Sequence, residues 1–214
     1  MKEIYIHIGL PRTGTSFLQR NIFPKLKLTY LHKNMIFSKI KDGKNLISDE
    51  HLSGTIFYNN PPDQYKIIDR IKKLYPDAKI IIVLRDKNDW LKSFYKNYLS
   101  YSKKKIKKIS YNEFCSMYEK KGWLDFEKYI AYLKNSFNEV LVLNYESLNK
   151  NHKDFISSIC NFIDVPSPDY NYEFINSSYD IKHYKFLKFL RKYTSNNIAN
   201  MVDSYFDRIL NNKE

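Results

Sequence analysis

The sequence predicts an α/β protein with a central, mostly parallel sheet. Three observations point there. Residues 4–8 alternate apolar and polar positions (Ile4, Ile6, Ile8) and stop at Gly9, where a short stretch of mainly small and polar residues leads into a helix. Residues 78–86, AKIIIVLRD, form a continuous apolar run rich in β-branched side chains. Such a run marks a strand covered on both faces, hence a parallel sheet. Strand-like and helical segments then alternate along the chain, as they do when helices cross over between parallel strands.

The elements follow in order. Residues 4–8 read as a strand and 15–23 as a helix ended before Pro24. Residues 28–37 offer a short strand, and Asn45–Ser48 is an apolar stub running into SDEHLSG at 48–54. Pro61 and Pro62 open a helix carrying Ile67, Ile68, Ile71 and Leu74 at helical spacing. The strand at 78–86 leads directly into a helix over 88–101. Helices are predicted at 111–119 and 124–136, a strand at 139–145 (EVLVLNY), and a helix at 152–163. Two helices at about 181–211 form a helical C-terminal extension, and residues 1–214 are expected to be a single domain. In parallel sheets ligands sit at the carboxyl ends of the strands. Arg12, Glu50, Arg85 and Tyr145 all fall just past strand ends, so one rim should collect them.

Composition bounds the partners. The 214 residues carry a net charge of +13, which suits a phosphorylated or polyanionic ligand. Lysine greatly outnumbers arginine and tyrosine is abundant, the pattern an A+T-rich bacterial genome produces by codon bias. Charge alone therefore does not mark a nucleic-acid binder, and no RNA- or DNA-binding signature is present, so no nucleic acid partner is expected. Cys115 and Cys160 form no C-x-x-C and suit a reducing compartment. The first strand begins close to Met1 and no apolar run is long enough to span a bilayer. The expectation is a soluble, cytoplasmic protein without a transmembrane segment, with peripheral membrane contact left open.

The glycine loop carries the chemistry. Gly9 and Gly14 are spaced as in a nucleotide-binding P-loop, G-x-x-x-x-G-K-[ST], but Thr15 stands where the lysine belongs and Ser16 follows. That lysine normally reaches the β/γ-phosphates. Here the only long cation in the loop is Arg12. A P-loop-like three-layer fold is expected, with a loop suited to a single 5′-phosphate and a charged leaving bond rather than to ATP.

Four segments, in order, resemble the sulfotransferases that use 3′-phosphoadenosine 5′-phosphosulfate (PAPS). GLPRTGTSFLQ at 9–19 resembles the family's 5′-phosphosulfate loop, P-K-x-G-T-T-x-L-Q. AKIIIVLRDKNDWLKSFYKNYL at 78–99 resembles its 3′-phosphate segment, an Arg at a strand end with a Ser eight residues on, here Arg85 and Ser93. Residues 142–165 are similar to its Y-E-x-L … F-[LI]-G-[VL] stretch, and ISDEHLSG at 47–54 to a segment of bacterial and carbohydrate-type members.

The resemblance implies a sulfuryl transferase acting from PAPS, leaving PAP, with no metal required. It implies that Pro11, Arg12, Thr13, Gly14, Thr15, Ser16 and Phe17 surround the 5′ end, and that Arg85 and Ser93 hold the 3′-phosphate. Arg12 would take the place of the family's lysine beside the leaving oxygen; it keeps the charge but is not a lysine replica. Glu50 would accept the proton of a hydroxyl or amine acceptor, with His51 as the alternative. A glycan is the favoured acceptor class, ahead of a lipid-linked sugar or a small alcohol; the acceptor itself and the oligomeric state are not legible. Two rival functions stay open: a degenerate P-loop kinase, and a PAP-binding module without turnover.

Bland roles are expected elsewhere. His7 should pack inside the sheet, Asp86 should cap the next helix, and Glu146 should tie loops together. Trp90, Phe94, Tyr95, Tyr98 and Trp123 read mainly as packing. Lys103–Lys105, Lys107 and Lys108 read as a solvated basic run, and Asn176–Ser178 as a helix entry.

Overall fold

The computed structural model describes residues 2–32, 40–54, 64–101 and 109–171. Backbone contacts group Met1–Ile175 into one compact unit; a second, Asn176–Glu214, lies outside the described residues. The predicted tail helices, Pro61 and Pro62, the 102–108 lysine run and Asn176–Ser178 also lie outside them.

Five parallel strands build the sheet: β1 (Lys2–Ile8), β2 (Thr29–His32), β3 (Gly43–Asp49), β4 (Lys79–Leu84) and β5 (Val140–Asn144), in the order β2-β3-β1-β4-β5. β1 sits at the centre: Tyr5–Ile8 pair with a strand on each side and all four are buried. Side chains alternate between faces with a period of two. Tyr5, Leu46, Ile81 and Val83 pack with Phe17, Leu18, Ile22, Phe155, Ile156 and Ile159 on one face. The opposite set, Ile6, Ile8, Ile47, Ile80 and Ile82, is equally buried, so both faces are covered as a three-layer α/β fold requires.

The helices are α1 (Thr15–Phe17), α2 (Gln64–Leu74), α3 (Lys87–Tyr101), α4 (Tyr111–Lys120), α5 (Phe126–Ser136), α6 (Tyr145–Lys150) and α7 (His152–Ile163). As expected, Trp90, Phe94, Tyr98 and Trp123 are buried, in an aromatic layer with Phe114 and Tyr118. Asp86 caps α3, accepting from the amides of Asn88 (2.9 Å) and Asp89 (3.0 Å).

Three expectations change. The segment predicted as one helix over 15–23 is α-helical only to Phe17, then a π turn (Leu18–Ile22) and a 3₁₀ turn (Phe23–Lys25) that contains Pro24. Proline is tolerated there because it falls at the start of the 3₁₀ turn, where its missing N–H costs nothing. The 45–48 stub is a full seven-residue interior strand. Gly43, Lys44 and Asp49, a glycine and two charged residues, hid its ends; inside it the buried Asn45 amide donates to the carbonyls of Lys41 and Gly43 (both 2.9 Å). Tyr145 opens α6 rather than closing β5.

Candidate active site

The loop from Gly9 to Gly14 leaves the carboxyl end of β1 and is held by its carbonyls. The Leu10 carbonyl accepts from the hydroxyls of Thr13 (2.8 Å) and Thr15 (3.0 Å). The Pro11 carbonyl accepts from Trp90 Nε1 (2.9 Å), and the Arg12 carbonyl from Arg85 Nη1 (3.1 Å). A trans peptide points its N–H away from its C=O. With these three carbonyls held, the amides of Arg12 and Thr13 are directed away from the donors, as in a backbone nest that can take an anion.

Backbone conformation supports the turn. Arg12 adopts φ 65°, a left-handed conformation that costs a non-glycine residue about 1–3 kcal/mol and persists only where surroundings enforce it. Gly14 has φ 81°, and a Cβ there would lie 2.8 Å from Leu148 Cδ2 and 3.4 Å from the Tyr145 ring. Glycine is therefore required both for torsion and for closeness.

The Arg12 side chain turns back: its Nε donates to the Ser93 hydroxyl at 3.0 Å. Arg85, just past β4, lies with its Cζ 4.6 Å over the Tyr145 ring. Its Nε is buried without a hydrogen-bond partner. Such a group costs stability unless a ligand or water rearranges around it. Arg12, Gly14, Arg85, Ser93 and Tyr145 thus form one continuous cluster, joining positions that the sequence assigned to two separate ends of a nucleotide.

The predicted loop residues divide by role. Thr13 and Thr15 are buried and their hydroxyls brace Leu10, so toward a ligand they offer backbone N–H groups. Phe17 is in the core, Ser16 is half-buried, and Pro11 contributes its carbonyl to Trp90. Trp90, expected only to pack, also fastens the loop.

The carboxyl end of β3 lies beside the loop. Ile8 pairs with Asp49 in the sheet, and the Gly9 amide donates to the Asp49 carbonyl at 3.4 Å. Glu50 begins a 3₁₀ turn (Glu50–Ser53), with its Cα and Cγ 3.3 Å from where a Gly9 Cβ would stand. His51 projects from the same turn, its Nδ1 2.7 Å from Asp49 Oδ1. Asp49 was not singled out from the sequence; a carboxylate ending a strand two residues before a histidine was the available signal. Glu146 Oε1 accepts from the Asp86 amide at 3.1 Å and ties α6 to the start of α3, the expected structural role.

His7 is fully buried, its Nδ1 2.8 Å from the Ser48 hydroxyl, which also accepts from Gln19 Nε2 at 2.9 Å. Burial pushes its pKa down to about 3, so the ring is neutral and serves packing. Among the described residues no helix is long and apolar enough to cross a membrane, and no group of three His, Cys, Asp or Glu side chains could hold a metal ion.

No curated protein matches the chain. Solved structures do. A crystal structure of a sulfotransferase from Alicyclobacillus acidocaldarius aligns with TM-score 0.52 at 16% identity, over 90% of this chain and 92% of that one. The mouse sulfotransferase SULT7A1 complexed with PAP aligns with TM-score 0.51 at 16% identity, over 79% of this chain and 61% of that one. Both likenesses concern the fold. A model of the sulfotransferase family matches residues 28–169, well over half of the sequence and including β3, Arg85, Ser93 and α6. The chain belongs to the sulfotransferase family.

Proposed function

We propose that the protein transfers a sulfuryl group from PAPS to a hydroxyl or amine acceptor, with a glycan as the favoured class. PAPS is a substrate here, consumed at each turnover. The observation that supports this best is that two cationic residues, Arg12 and Arg85, are joined at the glycine turn through the Arg12 carbonyl, with the Arg12 side chain also bonded to Ser93. A nucleotide with two separate anionic ends suits that arrangement. The mouse relative described above is complexed with PAP, the product expected of this reaction.

PAPS supplies an activated sulfuryl group and a phosphate leaving group. In this reading Arg12 stabilises charge that builds on the leaving phosphate oxygen. The amides of the loop hold the 5′ end, and Arg85 and Ser93 bind the 3′-phosphate through charge-assisted hydrogen bonds. Glu50 and His51, both on the turn after β3, are the side chains available to take the acceptor's proton.

The test is PAPS turnover with a panel of saccharide, alcohol and amine acceptors, followed as PAP released and sulfated product formed. Both are expected to appear in equal amounts. PAP binding without transfer to any acceptor would make the chain a binding module, and magnesium-dependent ATP turnover without PAPS turnover would make it a kinase.

A further inference from the structure

The turn after β3 holds a pair of side chains that capping alone does not explain. Asp49 is 2% exposed, and its Oδ1 accepts the backbone N–H of His51 at 2.9 Å. That bond is an ordinary N-cap of the 3₁₀ turn. The same oxygen also sits 2.7 Å from His51 Nδ1. The imidazole is half exposed, so burial does not force it there. An ionised carboxylate only accepts, so Nδ1 must carry the hydrogen, and in the neutral ring Nε2 then holds the lone pair. The ring is thereby oriented with its basic nitrogen away from Asp49. The turn is anchored to the start of the glycine loop, through Gly9 N–H to the Asp49 carbonyl and through the contact of Glu50 with Gly9.

We propose that Asp49 is a positioning residue that fixes the tautomer of His51, and that His51 Nε2, rather than Glu50, takes the acceptor's proton. This rests on the sulfuryl-transfer reading above. As the acceptor's oxygen or nitrogen forms its bond to sulfur, the bond from sulfur to the 5′-phosphate oxygen breaks. The electron pair leaves with that phosphate oxygen beside Arg12, and the acceptor's proton passes to Nε2. The resulting imidazolium is stabilised by the Asp49 carboxylate. Imidazole is the side chain best matched to proton uptake near neutral pH.

The experiment has two readouts on the full chain with PAP bound. Nitrogen-15 NMR of the His51 ring is expected to show a hydrogen on Nδ1 and a bare Nε2; in Asp49→Asn the other tautomer should gain population, because an amide can donate to Nδ1. In PAPS turnover with the acceptor panel, His51→Ala should lose about 10²–10⁴-fold. Asp49→Asn should also lose activity, and the double variant should be no worse than His51→Ala, since the two act as one unit. A loss in Glu50→Gln as large as that in His51→Ala would hand the proton to Glu50 and overturn the proposal. Stabilisation by PAP should survive in His51→Ala, whose exposed site leaves the fold intact. Near-parental turnover of His51→Ala, or a hydrogen on Nε2 and none on Nδ1 in the neutral parent ring, overturns the proposal and leaves the sulfotransferase reading standing. Absence of any PAP response in the parent chain overturns that reading instead, and the proposal with it.

Discussion

Replacing Arg85 by alanine should abolish the distinction between PAP and AMP, which differ only in the 3′-phosphate. One Arg85 N–H is committed to the Arg12 carbonyl, Nε is buried, and the guanidinium is stacked over Tyr145. The fork is thus held before a ligand arrives, and its remaining hydrogens are free to bond the phosphate at little entropic cost. A hydrogen bond to a charged group contributes about 1.5–3 kcal/mol, so losing one or two costs about 3 kcal/mol, or roughly 10²-fold in affinity. Thermal unfolding reads this directly. At a PAP concentration of about 100 times Kd the parent gains about 2.7 kcal/mol. For a chain of this size that raises Tm by about 5–11 °C. With Kd weakened about 100-fold, the same concentration gives only about 0.4 kcal/mol, a rise of about 1–2 °C. The parent with AMP should behave like Arg85→Ala with PAP. Equal responses of the parent to AMP and PAP, or a full PAP response in Arg85→Ala, would refute the assignment of Arg85 to the 3′-phosphate.

Three further outcomes are expected. Arg12→Lys keeps the charge but loses the Nε–H that Ser93 accepts, so turnover should fall about tenfold with PAP affinity changed much less; steady-state kinetics with PAPS would show an undiminished rate if that hydrogen bond were idle. Gly14→Ala puts a Cβ 2.8 Å from Leu148 Cδ2 at φ 81°, and should cost about 1–2 kcal/mol, or about 2–8 °C in Tm, with PAP binding weakened as well. His7 stays neutral inside the sheet, its pKa lowered to about 3 by burial. Below about pH 6.5 the unfolded chain binds a proton there that the native chain refuses, so stability is lost as pH falls from about 6.5 toward 3, at about 1.4 kcal/mol per pH unit. Urea unfolding near pH 7 and near pH 5 should therefore differ by about 2 kcal/mol more in the parent than in His7→Gln; identical differences would mean the ring is protonated in place.

The parts of the fold that were legible are those whose apolar pattern is uninterrupted. The 78–86 run and Ile4–Ile8 announce β4 and β1 because burial on both faces leaves no room for polar residues. β3 was truncated in the sequence because Gly43 and Lys44 at one end and Asp49 at the other look like loop, and only the folded sheet shows all three in the ladder. The break after Phe17 was illegible because a π turn has the same composition as an α-helix. At the site, residue types were readable and pairings were not. Arg12 and Ser93 lie 81 residues apart and were assigned to different phosphates, yet they are hydrogen-bonded. Asp49 passed unnoticed because D-E-H reads as a solvated charge cluster until the strand end buries the first of the three.

Arg12 lends its guanidinium to Ser93 and its carbonyl to Arg85. A single strained residue of the glycine loop is therefore bonded to both side chains proposed to hold the 3′-phosphate, so a shift of either would pull on the loop. A donor lacking its distal anion would leave Arg85 and Ser93 without the ligand bonds that tie the far end of the nucleotide to Arg12, so selectivity would register in kcat and not only in KM.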